Sequence, residues 1–432
     1  MNVSRAFCRL KLGAALGLLL LSGSALAQTV DDNPKVKQEV LDKVALLLNQ
    51  SAFVPGIDFS KWDQFLQVQK VAIDAAKNDE EFRAAVNTAL QKFGASHVVL
   101  MSPRLSQIRK TGANVGVGIS TQVVPEGLAI IRVIKDGPAD KAGLAVGDTI
   151  VEFSGKPIVG MTDLVGEEGS EMAIKVKHAD GKAEDYKLIR QKYSTIRLPE
   201  LAWVDKDTAQ LKIYSFEKGY DRQKIVDLIR EAQKAKNLIV DLRFNGGGAV
   251  VNLQHLLGML ISDNKPVGTF IRRSTVSDYM ESTGGDANDL AAIADWSERK
   301  FRPVRRDVNP SFTGRLAVLV NKFSGSASEI AAAALRDVAG AVVIGTKSAG
   351  AVLASVVDPA TNGFSLQYPI EDYVTIKGVR LEGTGVTPDI DAQDLNLRIP
   401  NAKDDGVEKA TTYFTQVKAR IASQRIWLKK AS

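Results

Sequence analysis

Two segments of the chain combine residues that could support catalysis. The first, LIVDLRFNGGG at residues 238–248, is an apolar run that ends in three consecutive glycines. Because glycine lets other groups approach the backbone closely, such a loop is either a tight strand-to-helix turn or a set of N–H groups facing a developing anion. A nucleotide-binding P-loop is disfavoured, since the Gly-Lys-Ser/Thr ending is absent.

The second segment, NKFSGSASE at residues 321–329, places serines at the start of a predicted helix. A serine at this point is usually an N-cap, and Ser326 and Ser328 compete for that role. If Ser328 caps the helix, Ser326 lies just outside the first turn, where the helix dipole and the Ala327 N–H would stabilise an oxyanion. Ser326 is therefore a candidate nucleophile.

A nucleophilic serine needs a base, and the chain has only three histidines. His178 stands next to Asp180 and Gly181, which predicts an exposed turn residue. His255 lies in an apolar helical run, which is typical of a core or helix-surface histidine. His97 follows a predicted helix, where a lone histidine is ordinarily a surface residue.

The elements that would position these groups alternate between strand and helix from residue 198 onward. The predicted strands are 238–244, 316–320 and 341–344, and the predicted helices are 221–234, 250–261 and 329–338. Apolar strands separated by helices indicate an α/β sheet, whose functional groups collect at the strand ends. Residues 263–310 are polar and are predicted to form an insertion with one helix near 290–296.

The preceding part of the chain changes from a helical to a β-type pattern. Residues 33–94 are predicted to be helical, with a capping box between Asn78 and Glu81 and a stop at Gly94. Short β-type runs follow at 128–134, 149–153 and 172–177, separated by glycine turns.

This β-type region resembles bacterial PDZ domains. The resemblance rests on GPA at 137–139, AGL at 142–144 and GD at 147–148, while Val117-Gly118-Ile119 resembles the loop that holds a peptide carboxylate. It implies binding of a C-terminal or extended peptide as an added strand. Only residues 162–165 are predicted to be helical where the family has a full groove-lining helix, so a regulatory or structural role is the alternative.

Taken together, the two loops, the PDZ-like region and LEGTGVTPD at 381–389 resemble the C-terminal processing, or tail-specific, serine peptidase family over about residues 33–395. The resemblance implies that Ser326 is the nucleophile. It also implies that Ala327 and Gly247, or Gly248 in place of Gly247, donate the oxyanion N–H groups.

The chain departs from this family at the base. Most tail-specific proteases carry a lysine in a Gly-Lys-Gly turn, but the corresponding turn here is GTKSAGA at 345–351, with Ala351 at the base position. Lys347 lies four residues earlier and is predicted to be solvated.

Residues 93–97, FGASH, are similar to a segment of the tricorn-core branch of the same superfamily, in which a histidine replaces the lysine. The resemblance implies that His97 is the base, that Ser96 tunes the site and that Glu382 orients His97. Glu371 or Asp372 could orient His97 instead. Activity is then expected to fall as the pH drops through about 6 to 7.

Composition constrains location and partners. Residues 1–27, with three basic residues, an apolar run at 12–21 and Ala-Leu-Ala at 25–27, predict a cleaved secretory signal and suggest a bacterial periplasm. The run is shorter than the ~20 residues of a membrane span. Removing those three of the 56 basic residues leaves 53 against 50 acidic ones, too small an excess to indicate nucleic acid. Cys8 is the only cysteine, so the mature chain would have no disulfide or thiolate metal site.

We therefore predict an α/β (α+β) multidomain protein. The predicted parts are a signal peptide (1–27), a helical N-terminal domain (28–105), a PDZ domain (106–193), a peptidase catalytic domain (194–400) and a C-terminal helical tail (401–432). The resemblance implies a secreted serine endopeptidase that acts on protein or peptide substrates without a metal or organic cofactor. A catalytically inactive PDZ-bearing scaffold and an esterase or other acyl hydrolase are the alternatives.

Overall fold

The computed structural model describes Val30 and residues 33–261, 264–305 and 309–431, with side chains to residue 419. The predicted signal at residues 1–27, including Cys8, lies outside this range. Within the range, the structure contains no helix with the length and apolar character needed to cross a bilayer.

The N-terminal region is helical, as predicted. Its elements are α1 (Pro34–Gln50), α2 (Trp62–Ala75), α3 (Asp79–Leu90), β1 (Val99–Met101) and α4 (Pro103–Thr111). The Asn78 side chain caps α3 by accepting from the Glu81 N–H, while the Glu81 carboxylate accepts from the N–H of Lys77 rather than of Asn78. Gly94, with a φ of 67°, ends the short 3-10 turn after α3.

A β-rich region follows. Its elements are β2 (Ala113–Gly116), β3 (Ile119–Val124), β4 (Gly127–Val133), α5 (Pro138–Lys141), β5 (Thr149–Phe153), β6 (Lys156–Pro157), β7 (Glu171–Lys177), β8 (Ala183–Ile189) and β9 (Gln191–Ser194). Strands β3, β4, β5, β7 and β8 form an antiparallel sheet with β3 at one edge, and β2 pairs with β9 where the chain enters and leaves the region. Residues Met161–Leu164 form only one 3-10 turn, so the predicted short groove wall is confirmed.

The remaining elements build two further sheets. In chain order they are β10 (Glu200–Asp205), β11 (Thr208–Lys212), α6 (Arg222–Ala232), β12 (Asn237–Asp241), α7 (Val250–Leu260), β13 (Gly268–Arg272), α8 (Arg273–Thr283), α9 (Leu290–Trp296), β14 (Arg315–Val320), α10 (Ala327–Ala339), β15 (Val342–Gly345), β16 (Ala354–Pro359), β17 (Ser365–Thr375), β18 (Ile390–Asp391) and α11 (Asp405–Ala431).

The larger of these sheets is the predicted α/β sheet. Its order is β10-β11-β12-β14-β15-β18, and every pairing from β11 onward is parallel. Both faces are covered: Leu238 and Val240 pack in a core with α6, α7 and α10, while Ile239 packs in a second core with α11. This burial on both faces explains why the sequence of β12 is an almost continuous apolar run.

The smaller sheet was not predicted. Strand β17 pairs with β1, β13 and β16, so one long strand joins the N-terminal region to the rest of the protein. The prediction of one helix in residues 263–310 was wrong, because this segment contains β13 and α8 as well as α9. Strand β13 is stabilised by pairing with β17, about a hundred residues later in the chain. Because that pairing leaves no pattern in the local sequence, β13 could not be predicted.

Candidate active site

Ser326 occupies the N-cap position of α10, at the end of the loop that follows β14. Its backbone has φ 54° and ψ −119°, a left-handed conformation that costs a non-glycine residue about 1–3 kcal/mol. Its side chain makes no capping hydrogen bond. The alternative in which Ser328 caps the helix is wrong, because α10 begins at Ala327; the buried Ser328 hydroxyl instead donates to the Asn245 carbonyl (2.8 Å).

The glycine loop after β12 packs directly against this serine. A Cβ atom on Gly247 would lie 2.6 Å from Ser326 Cβ and 2.9 Å from the Ala327 nitrogen, and the Gly247 φ is 98°. Only glycine fits such a contact and such a conformation. The loop therefore brings its backbone against the side chain of the candidate nucleophile, as an oxyanion site would require.

The three expected oxyanion donors differ in whether their N–H groups are free. The Gly247 N–H donates to Asn245 Oδ1 at 2.9 Å. The N–H groups of Gly248 and Ala327 have no acceptor among the described residues. Ala327 is the first residue of α10, so its N–H has no intrahelical partner and lies at the positive end of the helix dipole.

Glu329 anchors the N-terminal end of α10, a role that was not predicted from the sequence. Its buried carboxylate accepts hydrogen bonds from four groups: the N–H groups of Ser326 (3.0 Å), Gly350 (2.7 Å) and Ala351 (2.9 Å), and the Ser348 hydroxyl (2.6 Å). Burial raises the pKa of this carboxyl, although the four hydrogen bonds oppose the shift. The spacing of Ser326 and Glu329, three residues apart at a helix start, is the capping-box signal that could have identified it.

Ser96, His97 and Glu382 form a second hydrogen-bonded group. Glu382 accepts from the Ser96 N–H (2.8 Å) and the Ser96 hydroxyl (2.9 Å), and that hydroxyl also lies 2.7 Å from His97 Nδ1. Ser96 therefore stands between the acid and the histidine. Because its single hydroxyl proton goes to Glu382, His97 must donate from Nδ1, which leaves Nε2 unprotonated and able to act as a base.

The environment of His97 favours its neutral form. Burial lowers the pKa of His97, Glu382 opposes this shift, and the positive charge of Arg109 adds to it. The backbone of His97 is also left-handed, with a φ of 61°. A neutral imidazole at physiological pH is what a general base requires.

Residues 351–352 connect the two groups. The Ala351 carbonyl accepts from the Ser326 N–H (2.7 Å), and the next N–H, that of Val352, donates to Glu382 (2.7 Å). No hydrogen bond joins His97 to Ser326 in this structure. At the position where the family has a lysine, Ala351 thus contributes a backbone contact, and Lys347 is exposed, as predicted.

The alternative acids and bases are engaged elsewhere. Glu371 forms an ion pair with Arg272, and the fully buried Asp372 pairs with Arg380 at 2.7 Å. His178 lies in the turn between β7 and β8, as predicted. The prediction that it is exposed was wrong: its side chain is only 21% exposed, because the ring contacts Asp148 (3.0 Å) and the Tyr186 hydroxyl (3.0 Å).

Val117, Gly118 and Ile119 lead into β3, the edge strand of the β-rich sheet. Gly118 has a φ of 78°, and its carbonyl accepts from the Ile134 N–H (2.8 Å), which fixes the loop before the strand. The outer edge of β3 pairs with no other strand in the described part of the chain. This is the arrangement that strand addition requires.

Comparison with known proteins agrees with these features. Residues 207–392 match the sequence model of "Peptidase family S41", and residues 130–176 match that of "PDZ domain". A carboxy-terminal-processing protease of Bartonella bacilliformis is 28% identical over 288 residues, which is 64% of this chain and 60% of the relative. A tail-specific protease of Haemophilus influenzae is 29% identical over 346 residues, 72% of this chain and 45% of the relative.

Among solved structures, mature CPAF complexed with lactacystin aligns with a TM-score of 0.52 at 14% identity, covering 90% of this chain and 99% of that chain. At this identity the likeness shows the fold alone, and it confirms the predicted fold class. The chain spans 45% to 60% of the length of the two relatives named above. Residues 207–392 thus belong to peptidase family S41 and are preceded by a PDZ domain, which confirms the predicted family.

Proposed function

We propose that this protein is a serine endopeptidase that cleaves peptide bonds in unstructured or C-terminal segments of proteins. The observation that carries the proposal is Ser326, held in a strained backbone conformation at the start of α10 with Gly247 against its side chain. The peptidase family of residues 207–392 and the protease names of the relatives support it. We assign residues 106–193 to the PDZ domain and residues 194–400 to the catalytic domain.

In the proposed reaction, His97 Nε2 takes the Ser326 hydroxyl proton while Oγ attacks the substrate carbonyl. The N–H groups of Ala327 and Gly248 stabilise the resulting oxyanion. The Gly247 N–H could replace that of Gly248 only by breaking its hydrogen bond to Asn245 Oδ1. The tetrahedral intermediate expels the amine, which receives the proton from His97. Water then attacks the acyl-enzyme with His97 again as base, and no metal or organic cofactor takes part.

Glu382 and Ser96 act on this reaction through His97. Their hydrogen bonds fix the Nδ1–H tautomer and orient the ring, and Glu382 stabilises the imidazolium that forms when the proton is transferred. His97 and Ser326 must approach each other when substrate binds, as catalytic hydrogen bonds often tighten only in the complex.

The PDZ domain would supply the substrate. An unstructured tail would add to the open edge of β3, with its carboxylate at the loop of Val117, Gly118 and Ile119. The shortened wall at Met161–Leu164 favours weak or regulatory binding. We further propose that residues 1–27 direct the protein to the periplasm.

Two observations favour a second candidate, a catalytically inactive PDZ-bearing scaffold. Ala351 stands where the family has its lysine, and the structure shows no hydrogen bond from His97 to Ser326. A serine without an activating base is a weak nucleophile.

Labelling with a fluorophosphonate probe at about pH 7.5, read by intact mass, separates these candidates. We expect one adduct on the parent protein, lost in Ser326→Ala and His97→Ala but retained in the exposed Ser277→Ala and in His255→Ala as controls. Absence of an adduct at any pH from about 6 to 9 would favour the scaffold. Loss only in Ser326→Ala would show that His97 is not the base, and turnover of small esters without cleavage of unfolded protein would indicate an esterase.

A further inference from the structure

A pocket of about 660 Å³ lies beside the candidate active site. Its walls are α4, the turn at residues 217–218 and the hairpin of β16 and β17. Arg109, Lys110 and Lys218 line it, and Glu217 is the one acidic residue among the lining residues. A smaller pocket of about 250 Å³ shares Arg109, Glu217 and Lys218 and adds Arg197, so the basic surface extends into a groove.

The pocket adjoins both halves of the catalytic arrangement. A Cβ atom on Gly248 would lie 2.5 Å from the Glu217 nitrogen and 2.8 Å from Glu217 Cγ, so the glycine loop contacts the pocket wall. Ser365, another lining residue, pairs with Met101 of β1, the strand that follows His97. The charge of Arg109 acts on His97. These contacts place one wall of the pocket against the glycine loop, and Arg109 close enough for its charge to act on His97.

The positive charge of the pocket is only partly neutralised. Arg109 pairs with Glu217 at 3.0 Å, but both side chains are nearly half exposed (42% and 46%), and ion pairs of this kind contribute little. Lys110 and Lys218 are exposed, and no carboxylate within the described residues pairs with either of them. The Ser106 hydroxyl, also in the wall, lacks a hydrogen-bond partner among the described residues.

We propose that this basic pocket is a substrate subsite that binds a peptide carboxylate near the scissile bond; this inference rests on the proposed function. The carboxylate would be an Asp or Glu side chain or the C-terminal carboxylate of the substrate. It would replace Glu217 on Arg109, whose planar guanidinium suits a carboxylate, while Lys110 and Lys218 contribute point charges. The enzyme would then favour acidic residues at one fixed position relative to the bond that it cleaves.

Digestion of an unstructured peptide library, with cleavage sites read by mass spectrometry, tests this specificity. We expect Asp and Glu to be enriched at one position, with kcat/KM about tenfold higher for a Glu peptide than for its Gln counterpart. The preference should disappear or reverse in Lys218→Glu and in Lys110→Glu. It should persist in the matched variant Lys234→Glu, because the exposed Lys234 precedes β12 and lies at the opposite end of the parallel strands.

A binding measurement separates failure of the subsite from failure of the proposed function. The Ser326→Ala protein is titrated into a labelled Glu peptide, its Gln counterpart and a C-terminally amidated form, with fluorescence anisotropy as the readout. Weaker binding of the Gln peptide identifies the side chain as the ligand. Because amidation also removes the carboxylate that the PDZ loop would bind, weaker binding of the amidated peptide identifies the terminus only if Lys218→Glu abolishes the difference.

Each combination of results decides a different point. Cleavage without any acidic preference, together with binding differences that Lys218→Glu leaves unchanged, would overturn the subsite and leave the peptidase intact. Binding that depends on Lys218 and on the carboxylate, without cleavage, would support the subsite while the proposed activity fails.

Discussion

At the scale of single residues, the site is marked by backbone conformations that non-glycine residues rarely adopt. His97, Phe244 and Ser326 have φ values of 61°, 63° and 54°. Each such residue persists only where its surroundings hold it. For Ser326 these surroundings are the Ala351 carbonyl and the Glu329 carboxylate, which both accept from its N–H. The strain therefore indicates that the exact direction of this side chain is maintained at the expense of stability.

The protonation of His97 should determine how activity depends on pH. Because burial and Arg109 lower the pKa of His97, the neutral base should persist below the usual histidine pKa of about 6.5, and kcat/KM should fall only at lower pH. Replacing Arg109 with Gln removes one cause of the lowering, so the acidic limb should move to higher pH. The measurement is kcat/KM from about pH 4.5 to 8 on a peptide without acidic residues.

Arg104→Gln serves as the control for this shift. Arg104 lies on the same helix, α4, but its guanidinium donates to Asn114 and does not act on His97. An acidic limb that moves equally in both variants would show that the shift follows net charge rather than proximity to His97. If the acidic limb moves in neither variant, Arg109 does not affect the pKa of His97.

At the scale of elements, the start of α10 and the turn at residues 348–351 form one unit around Glu329. In Glu329→Gln an amide NH₂ would face N–H donors, so at least one hydrogen bond is lost and a donor is left buried. We expect the free energy of unfolding to fall by about 2–5 kcal/mol and labelling of Ser326 to slow. Urea unfolding and the rate of fluorophosphonate labelling measure the two effects.

Ser348→Ala is the comparison, because it removes one donor to the same carboxylate and leaves the three backbone donors in place. It also leaves the buried Val386 N–H, which donates to the Ser348 hydroxyl (2.6 Å), without its acceptor, so its cost should be about 1–3 kcal/mol. If Glu329→Gln is no more costly than Ser348→Ala, Glu329 does not organise the turn.

Elements with a local signal were predictable, and elements stabilised by distant partners were not. The strand at Thr149–Phe153 and the helix at Leu290–Trp296 were predicted with their observed bounds, since glycine turns and apolar spacing define them locally. Strands β1, β13 and β17 form a sheet only by pairing across the chain. The same limit applies to the site: Ser326 and the glycine loop stand out in the sequence, whereas the contacts of Glu329 with residues 348–351 do not.

At the scale of the whole molecule, a buried charge cluster joins the segment between β12 and the glycine loop to the C-terminal helix. Arg243, which follows β12, donates to Asp241 (2.6 Å) and to Asp404 (2.7 Å), the residue before α11. Although burial alone would lower the pKa of Arg243, the two carboxylates raise it, so the guanidinium stays charged. The glycine loop begins two residues later, at Asn245, so a shift of α11 would reach the proposed oxyanion donors through Arg243.

Asp404→Asn tests this connection. The change leaves Arg243 buried with one carboxylate instead of two, and we expect a loss of about 2–4 kcal/mol in the free energy of unfolding, measured with urea. Labelling of Ser326 should slow as well, because the glycine loop loses a support. The neighbouring Asp405→Asn removes a more exposed pair with Lys409 (33% and 39% exposed) and should cost no more than about 1 kcal/mol. Equal losses in the two variants, with unchanged labelling, would show that α11 is not coupled to the site.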